Sequence, residues 1–413
     1  MSNTLASSRV GRWGIALVAA SVGMLSCAAA ANATVYHPAN SAQFMTALNS
    51  ANTTPGFDKI VIPSLTAISP PANVTISDDL MIEGDHSFQG QDAFQGPTID
   101  GGAVPVAQRS ADFITVSPNV RFLVSGIQIS AGSSFGFAVI KNNGGSLRLD
   151  GDIILQNEGQ PLTQPSGRSV ITNTTITANT PAAINSAGST RIYNSTIEQN
   201  QGGGVQATGT FEMRNTVLAQ PAGVANCFSL PSPGSNNYST DTSCGPSATV
   251  GANPMFQGVF FYNGPTQTNP PAAGSPLIDA GDDAHCMSSD QGFYPRPAGA
   301  HCDIGAVESG AVRDTTPPTC VVTAVRRGGT GDQQDVTLSD SGAGIGWDGV
   351  FSEETTITNG TVANPLIPAA PALPADPARP GNTVLTATKA DQTQKTRWSF
   401  TARDWAGNVR ACS

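Results

Sequence analysis

Between residues 121 and 220 the chain repeats itself. Gly126-Ile-Gln-Ile129, Gly151-Asp-Ile-Ile154, Asn173-Thr-Thr-Ile176, Asn194-Ser-Thr-Ile197 and Asn215-Thr-Val-Leu218 begin 25, 22, 21 and 21 residues apart. Each unit is made of strand and turn residues without a helical stretch, so one unit alone cannot bury its aliphatic side chains. A period near 22 of this kind predicts a parallel β-helix, with coils stacked at a rise of ~4.8 Å and each aliphatic residue lying on its predecessor. Asn173, Asn194 and Asn215 fall at the same corner of successive coils. The role expected of them is a ladder of side-chain amides bonded from coil to coil. Asn173-Thr-Thr and Asn194-Ser-Thr also match glycosylation acceptors, which a buried ladder would hide.

Composition agrees with a turn-rich, extended chain. Charged residues are 12 % of the total, about half the usual share, while glycines number 44 and prolines 30. Arg9 and Arg12, the apolar run Trp13 to Ala31 and the Ala31-Asn32-Ala33 site read as a secretory signal peptide over 1–33. Met24-Leu25-Ser26-Cys27 resembles a lipobox, so a lipid on Cys27 is the alternative to soluble export. Removing 1–33 leaves 380 residues with 18 cations against 30 acidic side chains, a net charge of −12. Acidity without clustered cations argues against nucleic acid as a partner. No later apolar run reaches 18 residues, so no transmembrane helix is expected.

Six cysteines remain after the signal. They fall into three sequential couples, and export to an oxidising space predicts Cys227–Cys244, Cys286–Cys302 and Cys320–Cys412 disulfides. The repeated step His285-Cys286 and His301-Cys302 is the metal-binding rival.

Ser41 to Ala51 is the one convincing helix, with Asn40 or Ser41 as N-cap and Phe44, Met45, Leu48 and Ala51 on one face. It is placed to cap the first coil, and 221–308 to close the other end. Asp314-Thr-Thr-Pro-Pro318 reads as a stiff linker over 309–318. Beyond it, Cys320 to Val325, Gln334 to Leu338, Thr383 to Thr388 and Arg397 to Ala402 alternate at period two, which predicts a small antiparallel sandwich over 319–413. Prolines at 365, 368, 371, 374, 377 and 380 share one face of a polyproline II helix, a stiff loop or a docking strip.

Gly274-Ser-Pro-Leu-Ile-Asp-Ala-Gly281, Asp290-Gln-Gly292, Arg296-Pro297 and Cys302-Asp-Ile-Gly-Ala-Val-Glu308 resemble the choice-of-anchor Q region of bacterial surface proteins. The similarity extends over about 34–308. It implies a right-handed, pectin-lyase-like parallel β-helix and a surface location, and brings no assigned catalytic set. The tail ending Asp404-Trp-Ala-Gly-Asn-Val-Arg-Ala-Cys412 is similar to bacterial Ig-like modules.

Chemistry is sparse. Gly132-Ser-Ser-Phe-Gly136 matches a nucleophile elbow, but no helix follows it. A glycoside hydrolase needs two carboxylates flanking the bond, for which Asp150, Asp152 and Glu198 are the candidates. A lyase needs a calcium-binding acidic cluster and a cation, with Lys141, Arg148 and Arg191 available. Asp279, Asp282 and Asp283, near Asp290, are the calcium candidates. The competing reading has Asp279 or Asp303 bond turn amides and pair with Arg296 as architecture. The expected protein is all-β, a parallel β-helix and an Ig-like sandwich. The expected role is exported, non-catalytic and adhesin-like or structural, with a polysaccharide or cell-surface protein as partner; the alternative is a polysaccharide lyase or hydrolase.

Overall fold

The computed structural model describes residues 34–85, 96–109, 111–130, 137–262, 264–327, 332–345, 355–363, 382–391 and 393–413. The expected signal peptide, the motif at 132–136 and the prolines at 365–380 lie outside these residues. Among the described residues, no helix is long and apolar enough to cross a membrane.

Three columns of parallel strands form a β-helix of about eight turns. Sheet 1 contains Val74–Ile76, Ile114–Val116, Ile184–Ser186 and Val205–Ala207. Sheet 2 contains Asp58–Ile62, Leu80–Gly84, Arg121–Ser125, Ser189–Tyr193 and Phe211–Arg214. Two long strands, Ala138–Asp150 and Gln160–Thr172, bend from sheet 1 into sheet 2. Sheet 3 runs from Ala67–Ile68 through Ile153–Leu155, Thr175–Thr177, Thr196–Glu198 and Val217–Ala219 to Ala248–Val250.

Inward residues stack in strict register. In sheet 3 the column is Ile68, Ile99, Ile129, Ile154, Ile176, Ile197 and Leu218. In sheet 2 it is Ile60, Ile82, Val124, Leu149, Ile171, Ile192 and Met213. All are buried in one cluster. Each fully buried aliphatic side chain contributes about 1.5–3 kcal/mol of transfer free energy.

The corner between sheets 2 and 3 explains the repeat. Gly126, Gly151, Asn173, Asn194, Asn215 and Asn236 all have positive φ, between 44° and 75°. Glycine and asparagine are the residues that adopt this left-handed backbone at least cost. This backbone turns the side chains toward other neighbours, which corrects the expected ladder. Asn173 Nδ2 donates to Asp150 Oδ1, Asn194 Oδ1 accepts from the Met287 amide, and Asn215 bonds both backbone groups of Asp282. The amide ladder stands at the next corner. Asn157 Nδ2 donates to Asn179 Oδ1 at 2.8 Å, and Asn179 Nδ2 donates to Asn200 Oδ1 at 2.7 Å. Gln220 and Asn226 carry it onward through backbone amides.

Helix α1 (Ser41–Ala51) begins where Asn40 Oδ1 accepts from the Gln43 amide. Phe44, Ala47, Leu48 and Ala51 face the solenoid core, with Ala47 taking the place expected of the half-buried Met45. At the far end Cys227 and Cys244 are disulfide-bonded and join the same core. The segment after Val250 does not cap this end. It returns along the outside of the coils, where Thr266 Oγ1 donates to the Gly151 carbonyl and Gln291 Nε2 to the Asp152 carbonyl. The reason lies on the outer face of sheet 2, where Met81, Leu123, Val170 and Tyr193 need cover and receive it from Met287 and Phe293.

Residues 319–412 form a four-stranded and a three-stranded antiparallel sheet. Val336, Leu338, Leu385, Phe400 and Ala402 share a core between them. Cys320 and Cys412 are bonded, tying the first strand, Thr319–Arg326, to the last, Val409–Cys412. This unit lies against the solenoid wrap: Trp405 is buried and stacks on Phe293 with centroids 5.6 Å apart. The segment expected as a linker is bonded in place, with Arg313 donating to the Ala406 carbonyl and Asp314 Oδ2 accepting from Ala343.

Candidate ligand-binding site

Alternation along Thr196–Glu198 points Ile197 inward, so Glu198 projects from the outer face of sheet 3. The returning chain crosses above it. Asn269 Nδ2 donates to Glu198 Oε1 at 2.6 Å, and Asn269 Oδ1 accepts from the Gly258 amide at 2.8 Å. Beside this contact is a cleft of about 1010 Å³, floored by Thr177, Glu198 and Ala219 and walled by Gln220 to Ala225, Asp241, 252–254 and 256–259. Glu198 is 3 % exposed, and burial, only partly opposed by the Asn269 bond, pushes its carboxyl up to about 7. Half of it or more is therefore a neutral acid at and below neutral pH.

Asp241 is the other carboxyl lining the cleft. Burial raises it, but bonds from Ser243 Oγ and N, the Asn226 amide and Ser239 Oγ outweigh that and hold it low. Its Oδ1 accepts from Ser243 N and Oγ and its Oδ2 from Asn226 N, so it closes the end of the amide ladder. No lysine, arginine or histidine is among the described residues lining the cleft.

The three expected catalytic carboxylates do not converge. Asp152 bonds the amides of Ile127 and Asp150, while Asp150 accepts from Asn173; both are fully buried at the corner under Gln291 and do not line the cleft. Glu198 alone faces a cleft. The cations lie on other faces: Lys141 pairs with Asp112 at 3.0 Å, Arg191 with Glu212 at 3.4 Å, and Arg148 is buried in sheet 2.

The calcium candidates are also separated. Asp279 Oδ1 accepts from the His301 amide, Asp282 Oδ2 lies 2.7 Å from His285 Nδ1, and Asp283 Oδ2 lies 2.8 Å from His301 Nδ1. Asp303 bonds the amides of Asp279 and Ser309, as architecture requires, but the ion-pair partner of Arg296 is Glu308 at 3.1 Å. Cys286 and Cys302 are free thiols, so the third disulfide is corrected. Their mutual hydrogen bond and then burial push Cys286 up and keep it protonated, and Asn215 Nδ2 donates to Cys302 Sγ. The adjacent histidines turn to Asp282 and Asp283, so the His-Cys steps do not assemble ligands. Among the described residues, the carboxylates that could jointly hold a cation are Asp314, Asp340 and Asp404, all buried and with oxygens within 4.8 Å of one another.

A second surface, also missed by motif reading, is the outer face of sheet 1. Thr75, Thr115, Lys141, Thr163, Asn185 and Gln206 are consecutive rungs in register, each exposed or half-exposed. Parallel strands set them ~4.8 Å apart. Phe137 and Phe228 are exposed large apolar side chains from the chain near the same coils. The signal for this face was present as the single polar residue between two aliphatic or small ones in Ile184-Asn185-Ser186 and Val205-Gln206-Ala207.

The class that this fold defines is the right-handed parallel β-helix. The family described as "Right handed beta helix region" matches residues 94–218, the stretch holding the central coils. Among solved structures, a crystal structure of pectate lyase Pel9A aligns over 67 % of this chain and 96 % of its own, at 13 % identity and a TM-score of 0.34. No curated protein matches the sequence.

Proposed function

We propose that this is an exported, non-catalytic β-helix protein of the cell surface or extracellular space that holds an extended polysaccharide on the outer face of sheet 1. The observation that carries the reading is that this face is open and lined with hydrogen-bonding rungs that are neutral apart from Lys141, itself paired with Asp112, whereas return segments cover the other two outer faces. Two disulfides fit an oxidising compartment. In this reading 251–308 is a choice-of-anchor Q-like wrap and 319–413 an Ig-like module.

The non-catalytic part is supported by what the carboxylates already do. A hydrolase needs a second carboxylate free to activate water or attack the sugar. Asp241 has both oxygens committed, Asp152 serves the corner backbone, and Asp150 accepts from the Asn173 side chain. A lyase needs a cation to steady a uronate, and none of the described cleft residues is one. The test incubates the protein with insoluble neutral and acidic polysaccharides, measuring retention and soluble sugar together. Saturable retention on a neutral polymer is expected, with at least tenfold loss in the triple variant Thr163→Ala, Asn185→Ala, Gln206→Ala. Equal retention by that variant, or release of sugar products, overturns the reading.

A further inference from the structure

The cleft over Glu198 stands apart from the sheet 1 face, and the solenoid's own construction does not account for it. Its size, about 1010 Å³, is at the upper end of ordinary ligand pockets. The Glu198 side chain projects into it. One carboxyl oxygen is held by Asn269, and among the described residues no hydrogen bond to the other is found. A carboxyl buried to more than nine-tenths whose second oxygen opens only onto the cleft is placed to bond whatever enters it.

The surroundings define what that is. Sheet 3 contributes Thr177, Glu198 and Ala219; the loop 221–225 and the segment 252–259 contribute no charge, and neither does Asn269. Asp241 is the other titratable group facing the cleft and is held ionised by its serine and amide donors. With one fixed negative charge and no cation among the described lining residues, the cleft disfavours phosphate, sulfate and uronate. Gln199, Asn253 and Gln257 supply neutral amides, and Phe256 supplies one half-buried ring. Amides, one ring and one carboxyl suit a neutral polyhydroxylated ligand.

We propose that this cleft is a binding site for a short neutral oligosaccharide, in which Glu198 Oε2–H donates to a sugar oxygen and Asn269 fixes the carboxyl for that contact. The consequence is proton-linked affinity: as an acid Glu198 donates, and once ionised it cannot and adds a second negative charge beside Asp241. Because burial holds this carboxyl near 7, the change falls within the physiological range.

The site is independent of the polysaccharide face, so the two readings fail separately. Isothermal titration of the full chain with neutral glucose, mannose and N-acetylglucosamine pentasaccharides, and with pentagalacturonate, is run at pH 5.5 and 8.5. At least one neutral pentasaccharide binds at pH 5.5, about tenfold more weakly at pH 8.5, and more tightly than pentagalacturonate. Glu198→Gln, which keeps a neutral donor, binds at both pH values alike, and Ala222→Trp, an exposed rim change, abolishes binding while melting like wild type. The sheet 1 triple variant binds pentasaccharide as wild type does. No neutral pentasaccharide bound at millimolar concentration, preference for galacturonate, a retained pH dependence in Glu198→Gln, or unchanged binding in Ala222→Trp each overturns the proposal.

Discussion

The outer faces of sheets 1 and 2 are made by the same coils and have opposite fates. On sheet 2 the outward column reads Met81, Leu123, Arg148, Val170, Arg191. The return segment and Trp405 bury its apolar members. On sheet 1 the corresponding column reads Thr115, Lys141, Thr163, Asn185, Gln206 and stays in water. Inner columns are interchangeable between the sheets; outer columns decide what lies on them. A parallel β-helix is thus specified twice, once for its coils and once for its coverings.

The sharpest way to break this contrast is at the covered face. Trp405→Ala removes the largest buried side chain of the covering and its stack on Phe293. Roughly 3–5 kcal/mol is lost, with cleavage by protease in 309–318 rising before the solenoid melts. Limited proteolysis followed by denaturant titration reads both.

Glu198 tests the covering of sheet 3. Its folded pKa, about 7, lies above the ordinary glutamate value of 4.5. The folded state therefore holds the proton more tightly, and this contribution is fully present below pH 4.5 and lost as pH rises through 7. Relative to Glu198→Gln, wild type is expected to lose roughly 3 kcal/mol between pH 4.5 and 8, measured by urea melts at both values.

The two asparagine columns give a finer version. Asn179→Ala leaves ladder partners unsatisfied inside the solenoid and costs about 2 kcal/mol. Asn194→Gly keeps the left-handed corner and forfeits one 3.3 Å bond, so it costs less than 1 kcal/mol. Equal effects from the two would contradict the separate roles assigned to the corners. Smallest of all, Asn185→Ala on the open face shifts thermal stability by no more than about 0.5 kcal/mol.

What the sequence made legible follows from how local the causes are. The repeat register, the inward aliphatics, helix α1 and the Cys227–Cys244 and Cys320–Cys412 pairs depend on spacing along the chain, and all were readable. The ladder was assigned one corner too early because Asn157, Asn179 and Asn200 share the same 22- and 21-residue spacing as the left-handed column. The two columns differ in backbone angle, which spacing does not report. The return path was not readable, because its contacts join residues as far apart as Asp152 and Gln291, 139 positions away. Of the candidate site, Glu198 was visible as an acid in a repeat, while its neutral form depends on burial in the fold, which the bond from Asn269, 71 residues later, opposes only in part.

Gln291 has one more implication. It accepts from Thr175 Oγ1 while donating to the Asp152 carbonyl, so a single side chain spans two successive turns. Further along, the amides of Gly305 and Ala306 reach the carbonyl of Asn215 and the hydroxyl of Thr196. The strap is thereby gauged to a set number of intervening layers. An open solenoid lengthens by duplicating a unit, but here an added layer between Thr175 and Asn215 would separate these anchor points by a full step. The number of layers between these anchors is fixed by the chain folding back to measure it.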